Sequence, residues 1–304
     1  MMAGYSRLLW REVRPALPVA IAYVAGILLW SAFLGTRVGR WPDGVVLAMA
    51  QTPLWTLPPW ALWRMFHGLR NDLDTPHAYL LLSLPVPGWQ LASAKVLVVW
   101  AELAMYAAAA AVGLASVFKA AGVPGLPPGL SAGQVQLFEQ TLVYAMVLLL
   151  LLLLGFGAPA WLVLAQAAWS AGHAVRRARG LVMAMAFLAG LWLLLRAAIA
   201  GGAVLGALPG WALLPYPDVV RYPGGSWAVE PKWLAIHPGP LIGVAVAAVA
   251  GFFASARWIE HALDEDSPRG VLLAGVVAGF AVAVIDVYLH GAVLVDRLLE
   301  ALLP

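Results

Sequence analysis

"HGLRNDLDTPHAYLLLSLPVPGWQLASAKVL", His67 to Leu97, interrupts a chain otherwise made of long apolar runs. Arg70, Asp72 and Asp74 sit between two stretches that are each long enough to cross a bilayer, and a leucine-rich piece follows, closed by Pro85 and Pro87. Thr75 before Pro76 is a helix start, a capping hydroxyl followed by proline at the first helical position. The residue preceding a proline avoids the α region, so this helix ends by Leu84. At 1.5 Å per residue, Pro76–Leu84 makes a rod of roughly 14 Å, about half a hydrocarbon core. It cannot span. It lies along the membrane boundary, with Arg70, Asp72 and Asp74 in water on its approach and with Trp89 and Lys95 marking the interface where the next span enters. On pattern alone it is either a connector or a surface that meets a partner.

Composition fixes the class around it. Of 304 residues, 63% are hydrophobic and 11% charged, with a mean hydropathy of +0.86. Soluble domains average about 25% charged residues, so this surface faces lipid. The net charge of +3 is too small to indicate nucleic acid. With no cysteine there is no disulfide, thiolate metal site or cysteine nucleophile in the chain. The basic N-terminus leads into an apolar run longer than a signal peptide's, with no small-x-small cleavage site, and reads as a retained first span.

A ruler of about 20 apolar residues per crossing predicts an all-helical integral membrane protein of about seven spans: Leu17–Leu34, Val45–Phe66, Ala92–Phe118, Thr141–Ala167, Leu181–Ile199, Leu241–Trp258 and Val271–Leu294. Ala197–Tyr216 is apolar but broken by Gly201, Gly202, Pro209, Gly210 and Pro215. It reads as a re-entrant or interfacial hairpin, the alternative being an eighth span. Basic residues orient the chain. One side holds Arg7, Arg11, Arg14, Arg64, Arg70, Lys95, the Arg176–Arg177–Arg179 cluster, Arg257 and Arg269. The other holds Arg37, Arg40, Lys119, Arg221, Lys232 and Arg297. The N-terminus and the quoted stretch are therefore expected in the cytoplasm and Asp296–Pro304 outside.

The order of elements carries a resemblance. A basic amphipathic N-terminus, two spans, then Asp72, Asp74, Leu82, Ser83, Leu84, Pro85, Val86 and Lys95 entering a third span resemble the permease subunits of type-2 ABC exporters. "FFASARWIEHALDED", Phe252–Asp266, is similar to that family's sixth span running into a charged cytoplasmic end, and the broken loop after the fifth span resembles its outer re-entrant helices. The likeness covers about residues 1–266 of what reads as one permease domain, 1–304. A seventh span at about 270–294 departs from the usual six. The resemblance implies a cytoplasmic nucleotide-binding ATPase as partner and a second permease subunit, identical or not, completing the pathway. It also implies a coupling helix between spans two and three, with Arg70, Asp72, Asp74, Thr75, His77, Leu80, Leu81 and Leu84 as the ATPase-coupling residues, in a bacterial plasma membrane. ATP and magnesium would sit on the partner, and no cofactor on this chain. No G-x-x-x-x-G-K-[ST] loop occurs here, so energy comes from another polypeptide or from an ion gradient.

Two other classes bear on the intramembrane charges. An ion-coupled carrier places ionisable groups at mid-membrane, and the candidates are Glu102, Arg196, Asp286 and His290. Glu102 lies seven residues after Lys95 on a similar helix face. Arg196 and Asp286 lie near the outer ends of their spans, where they pair or snorkel. A membrane-embedded enzyme needs paired metal ligands or a nucleophile elbow. The six histidines form no H-E-x-x-H, and "GGSW" is not G-x-S-x-G. Gly243, Ala247, Gly251 and Ser255 form a small-residue stripe, as do Gly275 and Gly279. These stripes are expected to join spans six and seven, the alternative being a seam between two copies.

Overall fold

A computed structural model of the chain describes residues 2–73, 87–122, 126–127, 129–173, 175, 178–206, 212–222, 226–261 and 269–302. Helices α1 (Met2–Gly35), α2 (Asp43–Leu73) and α3 (Gly88–Ala121) come first. Next are α4 (Ala132–Leu152), a π-helical turn (Leu153–Gly157), α5 (Ala158–His173) and α6 (Arg179–Leu205). Strands β1 (Ala212–Arg221) and β2 (Trp227–Ile236) precede α7 (Pro238–His261) and α8 (Arg269–Leu302). Among the described residues, six helices are long and apolar enough to cross a membrane: α1, α3, the joined α4–α5, α6, α7 and α8. This is the architecture of a multi-pass membrane protein. The second helix, 31 residues long, is not among the six. Pro53, Pro58, Pro59, Gln51 and Arg64 lower its hydropathy.

The helices divide by burial. Half of the apolar window of α3 is buried, against 6% for α8, so α3 is the axis of the bundle and α8 its rim. Against α3 lies α1, running parallel: the Tyr5 and Ser93 hydroxyls are 2.9 Å apart at one end, and Ser31 fills the space beside Gly113 at the other. A Cβ on Gly113 would stand 2.1 Å from the Ser31 hydroxyl, so only glycine lets the helices meet there. Alongside both, α2 runs antiparallel, with the Trp30 indole donating to the Met49 carbonyl (3.1 Å) and Tyr23 beside Thr56 (2.9 Å). Tyr23, Trp60 and Tyr106 meet in the core, with ring centroids 4.5 to 6.0 Å apart.

The long joined helix α4–α5 carries its π-helical turn just before Pro159, which has no N–H to offer. The Ala158 N–H reaches back to the Leu153 carbonyl, one residue further than an α-helix allows, and the Leu154 carbonyl accepts instead from the Trp100 indole at 2.8 Å. The start of α4 is set by Ser131 and Gln134, whose side chains and backbones cap one another.

Two expectations are corrected by the packing. The small-residue stripe on α7 does not face α8. It faces α6 and α5: a Cβ on Gly243 would stand 2.0 Å from the Ala197 carbonyl, Gly251 lies against Val163, and Ser255 accepts from Gln166 at 2.8 Å. On α8, Gly279 approaches Ala189 of α6. Thus α6 lies between α7 and α8, because its own Gly201 matches Gly239 and Gly243 and lets the two backbones touch. Of the broken stretch Ala197–Tyr216, expected as a re-entrant or interfacial hairpin, the first part is helix and only the end belongs to a hairpin, a β one. Ala197–Leu205 continues α6, and the chain enters β1 at Ala212.

Strands β1 and β2 form an antiparallel hairpin, the one sheet among the described residues. Val219, Val220, Val229, Tyr216, Trp227 and Trp233 favour extended backbone. Pro217 pairs with Pro231, which a two-stranded ribbon tolerates because each strand keeps a free edge. Lys232 pairs with Asp218, and the Tyr222 hydroxyl donates to Glu230. These contacts raise the Lys232 ammonium and the Tyr222 phenol above their ordinary values, the hydrogen bond to the neighbouring carboxylate being the main cause in each. The hairpin rests on the start of α4, where Gln134 donates to the Trp227 carbonyl at 3.3 Å.

Candidate functional site: a buried charge ladder

At the end of the bundle opposite the hairpin, α1, α2 and α3 each bring charge to one place. Lys95 and Glu102 are seven residues apart on α3 and so share a face; Arg64 and Gly68 are four apart on α2 and do the same. Antiparallel packing sets Gly68 beside Lys95 and Arg64 beside Glu102. The Lys95 ammonium donates to the Gly68 carbonyl at 3.1 Å and to Glu12 Oε2 of α1 at 3.3 Å. The Arg64 guanidinium grips Glu102 with both ends of its fork, Nε to Oε2 at 3.3 Å and Nη2 to Oε1 at 3.2 Å. Arg11 closes the outer rung on Glu12 at 3.0 Å. Glu102 and Lys95 are buried, at 3% and 4% exposure. A small pocket between the rungs is lined by Glu12, Arg64, Met65, Gly68, Lys95, Val98 and Val99.

The inner rungs set two acids against two bases, and each charge has an opposite partner. In low dielectric that balance is what makes burial tolerable; removing one partner strands the other. Deeper along α3, one turn past Glu102, the Tyr106 side chain is fully buried and its hydroxyl has no hydrogen-bond partner. A polar column therefore runs from Glu12 toward the core of the bundle. Chemically it can hold three helices in register while its charges stay paired, and a rearrangement of rungs re-pairs charges rather than freeing them.

Of the residues expected at the site, Glu102 is on the ladder. Lys95 is turned inward to it, since a buried ammonium needs the carboxylate and carbonyl that α1 and α2 supply. Arg70 is exposed in the last turn of α2, which runs on through Leu73. The backbone of Asp72 belongs to the same turn. Asp74, Thr75, His77, Leu80, Leu81 and Leu84 lie outside the described residues, as does the coupling helix they were expected to form. Glu12 and the role of Arg64 were missed. For Arg64 the available signal was the four-residue spacing Arg64–Gly68 matched to the seven-residue spacing Lys95–Glu102; Glu12, on another helix, had none.

Arg196 and Asp286 are brought together elsewhere, between α6 and α8. Arg196 Nε donates to Asp286 Oδ2 at 2.9 Å and its Nη2 pairs with Oδ1. The Trp192 indole donates to Oδ2 at 2.7 Å, and His290 Nδ1 lies 3.2 Å from Oδ1. Trp192 and His290 sit one turn from Arg196 and Asp286 on their helices, so i, i+4 spacing on both helices was the signal. Among the described residues no group of three or more His, Asp or Glu is placed to hold a metal ion. No family model, curated protein or solved structure matches the chain.

Proposed function

We propose that the chain is the membrane-spanning permease subunit of an ATP-driven exporter, energised by a separate nucleotide-binding ATPase. The observation that carries this reading is the charge ladder. It binds α1, α2 and α3 together at the end of α2, where the chain passes into the 74–86 segment. That segment is where the resemblance puts a coupling helix, so a push on it would reach three crossings at once.

The same reading takes α2 as a seventh crossing, despite its lower hydropathy, because it lies antiparallel along both α1 and α3. An odd number of crossings agrees with the ends of the chain. The His237 N–H donates to the Leu302 carbonyl at 3.2 Å, so α8 finishes at the hairpin end while α1 begins at the other. Arg7, Arg11, Arg14, Arg70, Arg179 and Arg257 belong to the N-terminal end, which the positive-inside rule puts in the cytoplasm. The resemblance makes the membrane a bacterial plasma membrane and the assembly one of two permease subunits, identical or not, above two ATPases that hold ATP and magnesium.

The test is functional reconstitution. The chain isolated from its host in mild detergent is expected to hydrolyse ATP only while a copurifying chain with a G-x-x-x-x-G-K-[ST] motif is present, and to transport nothing alone. Gradient-driven uptake by the single chain in liposomes would replace this reading with an ion-coupled carrier.

A further inference from the structure

We infer that the Arg196–Asp286–His290 cluster is a lateral binding site for the phosphate group of an acyl-chain amphiphile in the leaflet on the hairpin side. The site is distinct from the ladder and does not depend on the transport reading. Its floor is consumed: each oxygen of Asp286 takes two contacts, from Trp192 and Arg196 Nε on one and from Arg196 Nη2 and His290 on the other. Its rim is not. The Asp286 side chain is 14% exposed, Arg196 37% and His290 56%. Arg196 uses Nε and Nη2 on Asp286, and a guanidinium carries five N–H groups, so donors remain for a further acceptor. A carboxylate only accepts, so His290 presents its proton through Nδ1, and the Nε2 of the neutral ring accepts from a hydroxyl of the head group rather than from the phosphate.

These polar edges face outward from a rim helix into the apolar zone. No other charged residue lies on α6 between Leu181 and Leu205, on α8 between Leu272 and Val295, or on α7 between Pro238 and Ser255. Leu193, Val282, Ile285, Leu289 and Val293 around the cluster are exposed. Guanidinium N–H groups turned toward hydrocarbon are costly unless an acceptor meets them. The planar fork of arginine suits the oxygens of a phosphate, and the apolar surround suits acyl chains. Access is past His290, the outermost member: Asp296, where charge resumes on α8, is six residues or about 9 Å beyond it and ten residues or about 15 Å beyond Asp286. Inorganic phosphate has the same head chemistry but no chains, so hydrocarbon bars its way. The source is lipidic.

The probe is a photoactivatable phosphatidylglycerol, added to the full-length protein in nanodiscs, with adducts mapped by mass spectrometry. Wild type is expected to give adducts on α6 and α8 near Leu193 and between Leu289 and Val293. The same photolipid without phosphate, a diacylglycerol, is expected to label there about tenfold less, and millimolar inorganic phosphate to displace nothing, since charge-assisted hydrogen bonds carry the difference. Arg196→Gln with Asp286→Asn removes both charges without stranding either and is expected to abolish the adducts while the protein elutes as wild type. Arg196→Lys keeps the charge but loses the fork, His290→Ala loses the ring nitrogen, and both are expected to weaken labelling several-fold. They decide the matter if the double variant fails to fold. Unchanged labelling in folded variants, or equal labelling by the diacylglycerol, would overturn the site, and displacement by inorganic phosphate would reassign it to a soluble anion.

Discussion

Glu102 and Asp286 are both carboxylates gripped by an arginine from a neighbouring helix, yet their settings are opposite. Glu102 is buried at the centre of the bundle among α1, α2 and α3, and its partner Arg64 belongs to a column in which every charge is balanced. Asp286 lies on α8, the least buried of the six membrane-length helices, and is covered by partners of which Arg196 on α6 and His290 on α8 are partly open to the outside. The first arrangement is a closed circuit that resists the loss of any member. The second leaves part of the Arg196 fork on the surface, beyond the two nitrogens that hold Asp286. The same residue types thus serve register in one place and recognition in the other, and burial decides which.

The largest expected effect comes from opening the closed circuit. Arg64→Met alone strands the buried Glu102 carboxylate and should cost about 3–5 kcal/mol, seen as a large fall in melting temperature in detergent. Arg64→Met combined with Glu102→Leu removes a whole rung and should melt near wild type. A double variant as damaged as the single one would mean that the ladder matters for shape and not for charge balance. Next in size, Gly243→Ala drives a methyl into the Ala197 carbonyl and should cost about 1–3 kcal/mol. It displaces the helix that carries Arg196, so it should also weaken labelling at the rim cluster and leave the Arg64–Glu102 pairing alone. Removing Arg196 and Asp286 together should change melting less than any single ladder variant, since the rim pair is partly open; an equal fall would erase the contrast between the clusters.

The smallest effect is alkaline and belongs to the hairpin. Tyr222 and Lys232 are raised by their carboxylate partners, so their contribution is complete below the ordinary values of about 10 and 10.4. It is lost only as pH rises through the higher folded values. A phenolate absorbance titration should show, among the late-titrating tyrosines, one that moves to lower pH in Glu230→Gln. No change on that substitution would mean that the Tyr222–Glu230 bond does not persist in solution.

The crossings were legible because length and hydropathy set them, and the six that meet both criteria match expected spans. The hairpin was not. Pro215, Pro217 and Pro231 argue against a strand in any sheet whose edges are covered, and only a two-stranded ribbon, with free edges on both sides, excuses them. The ladder was half legible. Lys95 and Glu102 share a face by spacing alone, but nothing in a sequence says that Glu12, far away in the chain, will lie beside Lys95. The parallel approach of α1 to α3 depends on Gly113 accepting Ser31, a tertiary fit with no local signature. For the same reason the small stripe on α7 was assigned to the wrong neighbour: small residues announce a close contact without naming the partner, and Gly201 on α6 supplied it.

The chain contains no cysteine and residues 74–86 follow α2 in the chain, so a photocrosslinking amino acid can be placed at Leu80 or Leu81, outside the six membrane-length helices. In host membranes, irradiation should capture one soluble chain bearing a G-x-x-x-x-G-K-[ST] phosphate loop, and Asp72→Lys with Asp74→Lys should reduce the yield in a salt-dependent way. Adducts to lipid alone, at both positions and with the protein at normal abundance, would contradict an ATPase-coupled permease.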